Sequence, residues 1–312
     1  MKYDRILFPI EFSDDCRAIT NQVERLADQF NSRVTLLHVC HTPAACFGAT
    51  EAYFTYVDTW TSFIDDSKQH LDKFQINLPR ERVDRVLLQE GDLGPEIVKW
   101  ADANETDLIV MGTHGCGTIR GLLLGSIAAK VLSDVTCPVW ICPSSHIRDK
   151  KRTDSRTVIC AVEFTEEATA LLHFANDWSQ RSGANVIVVH SVPEAETRPN
   201  KYFDTELHDF LVSQAREHLT HLQADAGTNF PFELSTGGIT SAIAEAVREQ
   251  DADLVIIGRG KCQDFLGRLR THAYDIIRGV PCPVLSYSCR QENEIKALVN
   301  ALGQKATMGE SG

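Results

Sequence analysis

The stretch MGTHGCGTIRGLLLGS, residues 111–126, decides how this chain is interpreted. It continues the short apolar run DLIVM at 107–111, which predicts a buried strand, and it precedes IAAKVLSDV at 127–135, which predicts a helix. Glycines in such a loop allow the backbone to approach a ligand closely. Ser126 stands where free N–H groups at the start of the helix would meet a bound anion. The stretch therefore predicts a phosphate cradle.

The spacing of the glycines separates this loop from two familiar phosphate-binding motifs. Gly112, Gly115, Gly125 and Ser126 form the pattern G-x2-G-x9-G-[ST]. It is not a Walker loop, because no Gly-Lys-Ser/Thr follows, and its long gap does not fit the dinucleotide fingerprint. Glycines alone would also fit a tight strand-to-helix turn that binds nothing, and the sequence leaves that alternative open.

The chain repeats itself. RILFPIEFSDD at 5–15 matches TVICAVEFTEE at 157–167, and TDLIVMG at 106–112 matches ADLVIIG at 252–258. A repeat of this size indicates two copies of one domain, and a length of 312 residues agrees with two domains of about 150 residues. We expect domain 1 over 1–143, a linker over 144–156, domain 2 over 157–288 and a C-terminal tail over 289–312.

Each copy alternates apolar strands with amphipathic helices, which predicts an α/β protein with a parallel sheet covered on both faces. In the first copy the strands are expected at 4–10, 33–40, 83–90, 106–111 and 138–143. The predicted fold is two tandem Rossmann-like (flavodoxin-like) domains, each a five-stranded parallel sheet with helices on both faces. Ligands of such sheets bind at the carboxyl ends of the strands.

The residues also resemble a known family. The glycine loop, followed by TCPVWIC at 136–142, resembles the signature of the universal stress protein family in its ATP-binding branch, and ILFPIEFSDD at 6–15 and LLHV at 36–39 resemble its first two strands. The resemblance covers residues 3–143 approximately and begins again in the second half. It implies that domain 1 binds ATP, AMP or ADP through the following residues: Pro9, Glu11, Val39, Met111, Gly112, His114, Gly115, Gly125, Ser126 and Ile127.

Several of these positions have a second interpretation. The family usually has Asp where this chain has Glu11; the longer side chain can still accept hydrogen bonds from adenosine, crowd the pocket, or simply precede a helix. Met111 lines the base pocket or fills the core. His114 donates to phosphate or contacts only water.

The glycine motif is degenerate in the second half. Counting back from the shared Cys-Pro-Val, Thr271 matches Ser126, whereas Arg270 matches Gly125. A bulky Arg disfavours the same close approach of backbone to phosphate. The loop 258–271 either keeps the fold without a ligand or binds a different anion through its basic side chains.

The composition of the chain excludes some classes of function and indicates its location. Hydrophobic residues make up 43% of the chain and charged residues 24%, as in ordinary globular proteins, and the net charge of −12 disfavours nucleic acid as a partner. No apolar run approaches about 18 residues, so no membrane span is expected, and the N-terminus does not resemble a signal peptide. The ten cysteines are scattered, which favours reduced thiols and a cytoplasmic location.

Neither an activated nucleophile nor a paired acid and base is apparent, so we expect a binding protein and not an enzyme, with slow ATP hydrolysis still compatible. No metal site is predicted, because the local set His38, Cys40, His41 and Cys46 contains no C-x2-C pair; Mg²⁺ can accompany the nucleotide. The predicted role is nucleotide-responsive regulation in the stress response. The alternative is a nucleotide-independent adaptor or interaction platform.

The final strands of the two domains are expected to pair with each other. The family resemblance implies such pairing, because members with one domain form dimers through this strand. An exposed apolar edge strand also favours pairing with another strand. We expect an intrachain pseudo-dimer with antiparallel strands 138–142 and 283–287. A further homodimer is left open.

Overall fold

The computed structural model describes residues 2–41, 50–113, 124–143, 157–192, 201–259 and 268–288. The chain divides into two compact units, Met1–Thr153 and Asp154–Gly312. The division falls within the predicted linker 144–156, which, like the predicted tail 289–312, lies outside the described residues.

The first unit is a five-stranded parallel sheet. Its strands lie in the order β3-β2-β1-β4-β5. The strands are β1 (Arg5–Pro9), β2 (Arg33–Val39), β3 (Val83–Leu88), β4 (Leu108–Gly112) and β5 (Val139–Cys142), and the helices are α1 (Asp14–Phe30), α2 (Thr50–Lys73), α3 (Leu93–Ala103) and α4 (Ser126–Asp134), with a 3-10 turn at Arg80–Arg82.

The second unit repeats this arrangement, with the strand order β8-β7-β6-β9-β10, again all parallel. Its strands are β6 (Thr157–Ala161), β7 (Asn185–Val192), β8 (Phe232–Thr236), β9 (Leu254–Arg259) and β10 (Val284–Ser288), and its helices are α5 (Ala168–Ser182), α6 (Lys201–Asp225), α7 (Ile239–Glu249) and α8 (Arg268–Gly279).

The predicted fold is confirmed. Side chains of a strand point alternately to opposite faces, yet Leu108 to Met111 of β4 are all buried, so both faces of the sheet are covered. The order 3-2-1-4-5 within each unit is that of Rossmann sheets and differs from the 2-1-3-4-5 order of flavodoxin itself. The pairing of segments 138–142 and 283–287 stays a prediction.

Helix α1 illustrates how the sequence sets the local structure. Ser13 is its N-cap, and Asn31 ends it in the left-handed region at φ 53°, a conformation that Asn adopts more readily than most residues. Its buried positions include Ile19, Val23 and Leu26 at helical spacing. The cap fixes where the helix begins and therefore where the turn after β1 must end.

Two further findings concern the whole of the described chain. No described helix is long and apolar enough to cross a membrane. Within the described ranges six cysteines are free and buried: Cys16, Cys40, Cys137, Cys142, Cys160 and Cys282.

Candidate functional site

The first unit has a cavity of about 400 Å³ where the chain changes direction across the sheet. From β1 the chain runs outward through β2 and β3 and then returns to the other side of β1 as β4. The cavity is bordered by Pro9 at the end of β1, Val39 at the end of β2 and Gly112 at the end of β4. This is the position where open α/β sheets bind ligands, and the volume is in the range of small-molecule pockets.

The cavity brings together most of the residues predicted from sequence. Residues 114 and 115, and with them the predictions for His114 and Gly115, lie outside the described residues. The other eight predicted residues line the cavity: Pro9, Glu11, Val39, Met111, Gly112, Gly125, Ser126 and Ile127.

Sequence reasoning missed the walls that two helices supply. Cys16 and Ile19 come from α1, and Leu93 and Ile97 come from α3. Their inward periodicity predicts core positions, and nothing in that pattern separates a residue that faces a neighbouring side chain from one that faces a cavity. The remaining lining residues are neighbours of predicted ones: Ile10, Leu37, Thr113 and Ala128.

The start of α4 is open toward the cavity. Its N-cap is Gly125, which has no side chain to accept a hydrogen bond from the first turn. The Gly125 N–H donates to the carbonyl of Thr113 at 2.9 Å, which ties the helix start to the end of β4. The first N–H groups of a helix have no partner within the helix, and here Ser126, Ile127 and Ala128 carry them beside the cavity. Such a helix start attracts anions.

Glu11 brings a carboxylate to the cavity wall. The Ser13 hydroxyl donates to Glu11 Oε1 at 2.8 Å and accepts from the backbone N–H of Cys16 at 3.1 Å. The helix cap therefore also orients the carboxylate. Burial raises the pKa of the Cys16 thiol to about 12, and the nearby Glu11 charge adds to that rise. Cys16 is consequently a neutral wall residue at physiological pH and not a nucleophile.

The matching place in the second unit is almost filled. Its cavity measures about 50 Å³. Helix α8 begins at Arg268, three residues before Thr271, the residue that matches Ser126 at the first position of α4. The described lining includes two carboxylates, Glu163 and Glu167, whereas that of the first cavity includes one, Glu11. The additional negative charge disfavours the anionic ligand considered from sequence. The basic loop residues 260–267 lie outside the described part of the chain.

A metal site has no support in the described ranges, where no group of three or more His, Cys, Asp or Glu side chains is arranged to hold an ion. Cys46 of the local set considered from sequence lies outside them. His38, from the same set, instead contacts the backbone of the turn after β1.

Two doubly wound α/β units in tandem, with a ligand-sized cavity at the strand switch of the first, define the class of this protein. The family model described as "Universal stress protein family" matches residues 2–143 and again residues 155–287. The chain belongs to the universal stress protein family.

Individual relatives agree with this assignment. Universal stress protein Rv2005c of Mycobacterium tuberculosis is 27% identical over 173 residues, covering 53% of this chain and 56% of that protein. The match thus spans little more than half the length of this relative. Universal stress protein MJ0531 of Methanocaldococcus jannaschii is 24% identical over 144 residues, covering 45% of this chain and 81% of that protein.

A solved structure carries the same fold over nearly the whole chain. The universal stress protein from Archaeoglobus fulgidus aligns with a TM-score of 0.61 at 18% identity and covers 92% of this chain and 99% of its own. At this identity the likeness establishes the tandem fold and not the ligand.

Proposed function

We propose that this chain binds ATP or a related adenine nucleotide in its first unit and acts as a nucleotide-responsive regulatory protein in the stress response. The observation that carries the proposal is the uncapped start of α4, whose free N–H groups border a cavity of about 400 Å³. Phosphate oxygens are suitable acceptors for these groups.

The other walls suit the rest of a nucleotide. Val39, Met111 and Leu93 offer apolar surface for a base, and Glu11 offers acceptors for ribose hydroxyls or an adenine amine. A cavity with apolar walls and a few placed polar groups is typical of small-molecule sites. Mg²⁺ would enter with the phosphates, and we assign no residue of this chain to it.

We propose one nucleotide site per chain, and the comparison of the two units supports this number. The matching cavity of the second unit, about 50 Å³, is far below the size of small-molecule pockets. The second unit would then have a structural or regulatory role. The free, buried thiols are consistent with the cytoplasmic location that we propose.

The alternative is a nucleotide-independent adaptor. It is favoured by Glu11, whose carboxylate already accepts a hydrogen bond from Ser13 and which replaces the Asp expected from the family resemblance. Under this alternative the tandem units would serve as a platform for other proteins.

The experiment is a calorimetric titration of the purified full-length chain with ATP, ADP and AMP, preceded by mass spectrometry of any ligand released from the native protein. We expect one nucleotide per chain. Gly125→Arg, which copies the residue at the matching place of the second half, should abolish binding. The proposal fails if no binding is detected at about 1 mM nucleotide, the weak end of specific affinities, or if two equivalent sites appear.

A further inference from the structure

The turn after β1 holds its key residue in an uncommon conformation. Phe12 follows Glu11 and has φ 63°, a left-handed value that bulky residues rarely adopt. Such a backbone persists only where its surroundings hold it. The conformation of Phe12 therefore depends on the groups packed around its ring.

Those groups are rings. Phe74 lies 6.5 Å from Phe12 between ring centroids, and two histidines lie closer; we call Phe12, His38 and His70 the ring clamp. The Phe12 and His38 ring centroids are 4.4 Å apart, and those of Phe12 and His70 are 5.6 Å apart. His38 lies on β2 and His70 near the end of α2. The clamp thus joins the turn to two elements that are distant in sequence.

His38 contacts the residues on both sides of Glu11. Its Nδ1 donates to the carbonyl of Ile10 at 2.8 Å, and its ring faces that of Phe12. The backbone N–H of Ile10 in turn donates to Leu37, next to His38, at 2.9 Å. With Ile10 and Phe12 both fixed, the direction in which Glu11 leaves the backbone is also fixed, and this direction is toward the cavity.

The second unit contains a copy of the clamp. Its rings border an open cavity of about 450 Å³, which is separate from the cavity of about 50 Å³ at the place that matches the nucleotide site. His190 Nδ1 contacts the carbonyl of Val162 at 2.8 Å, and the Phe164 ring lies 3.9 Å from His190 and 4.2 Å from His218. Phe164 does not have a positive φ. The same ring contacts thus occur there on an ordinary backbone, which makes the second copy a control for a purely structural role.

We propose that His38 is a positioning residue for the nucleotide: by holding Ile10 and Phe12 it keeps the Glu11 carboxylate aimed at the adenosine end of the ligand. This inference rests on the proposed function of the first unit. It predicts a loss confined to recognition of adenosine, because we assign the phosphates to the start of α4 and not to Glu11.

The test measures adenosine, inorganic triphosphate and ATP binding to the full-length chain with His38→Leu, and with His190→Leu as the matched control. His38→Leu should weaken adenosine and ATP binding about tenfold, the effect of losing one well-oriented hydrogen bond, and leave triphosphate binding unchanged. His190→Leu should change none of the three. His38→Asn keeps a donor near the position of Nδ1 and should therefore bind adenosine more tightly than His38→Leu but less tightly than the wild type. If His38→Leu does not fold, His38→Asn is compared with the wild type in its place.

A double-mutant cycle with Glu11→Ala tests the route of the effect. If His38 acts through Glu11, His38→Leu should have no further effect once the carboxylate is removed. The inference is overturned if adenosine binding to His38→Leu stays within twofold of the wild type, if triphosphate binding falls equally, or if the full loss persists in the Glu11→Ala background. A wild-type chain that binds neither adenosine nor ATP overturns the proposed function and this inference together, whereas the other outcomes overturn this inference alone.

Discussion

Gly125→Asp should change stability and nucleotide binding in opposite directions. Gly125 is the N-cap of α4 at φ −57°, a value that any residue adopts, and among the described residues no side chain caps this helix. An Asp there would accept hydrogen bonds from the N–H groups of Ile127 or Ala128 and would place a negative charge at the positive end of the helix. These are the groups that we assign to phosphate.

The sizes of the changes in stability and in ATP affinity follow from the N–H groups that the new Asp would engage. Replacing an N-cap Gly by Asp gains a few tenths of a kcal/mol from the cap and about 0.3–1 kcal/mol from the helix dipole. For a domain of this size the melting temperature should rise by about 1–4 °C. Losing two hydrogen bonds to phosphate, each worth about 1.5–3 kcal/mol, should weaken ATP binding by about 10²–10⁴-fold.

Gly238→Asp is the matched control. Gly238 is the N-cap of α7 in the second unit, also without a side-chain cap, and it lies 146 residues after Asp92, the N-cap of α3. The added Cβ would lie 3.2 Å from the Ser241 hydroxyl, which donates to the Gly238 carbonyl at 2.8 Å and would have to shift by a few tenths of an ångström. This variant should be stabilised similarly and should bind ATP like the wild type.

The assay combines thermal unfolding without ligand and calorimetric titration with ATP. A folded Gly125→Asp chain whose ATP affinity stays within threefold of the wild type would refute the assignment of the α4 start to phosphate. A loss of affinity in Gly238→Asp of the same size would show that the effect is not local to the cavity.

Three further predictions concern titration, reactivity and turnover. Burial lowers the pKa values of His38 and His190 below 6.5, although the charges of Glu11 and Glu163 oppose the shift. The unfolded chain therefore binds more protons than the folded chain at mildly acidic pH. The stability that the two histidines contribute is complete above pH 6.5 and is lost as the pH falls through their folded pKa values. Urea unfolding at pH 7.5 and pH 5 should therefore show a smaller decrease for the His38→Leu/His190→Leu chain than for the wild type, and an equal decrease contradicts this. The buried thiols with pKa values of about 12, among them Cys16, should react with iodoacetamide at pH 8 about a thousandfold more slowly than ordinary thiols. Mass spectrometry that finds these same thiols labelled in the native protein within minutes would be the contrary result. Steady-state ATP turnover should stay below about 1 per second, the low end for enzymes, and a higher rate that persists through purification would exclude a pure binding protein.

The sequence alone determined the architecture. The repeated strand patterns predicted two α/β units, because a strand buried on both faces must be apolar throughout and a helix between parallel strands must carry an apolar stripe. The glycine spacing also predicted the place of the site, because chain order puts Gly112 and Pro9 at the same edge of the sheet. Each of these features depends on residues that are close in sequence or repeat regularly.

Only the tertiary structure decided which residues share the cavity and how large it is. Cys16 and Leu93 carry no local signal for a site, yet packing of α1 and α3 on the sheet brings both to the cavity wall. The contrast between about 400 Å³ in the first unit and about 50 Å³ at the matching place of the second has no local signal either, because a cavity is the space that the packing of distant segments leaves unfilled. The contact of His38 with Ile10 and Phe12 likewise exists only once β1 and β2 pair, because hydrogen bonds and ring contacts between distant residues depend on the register of the completed sheet.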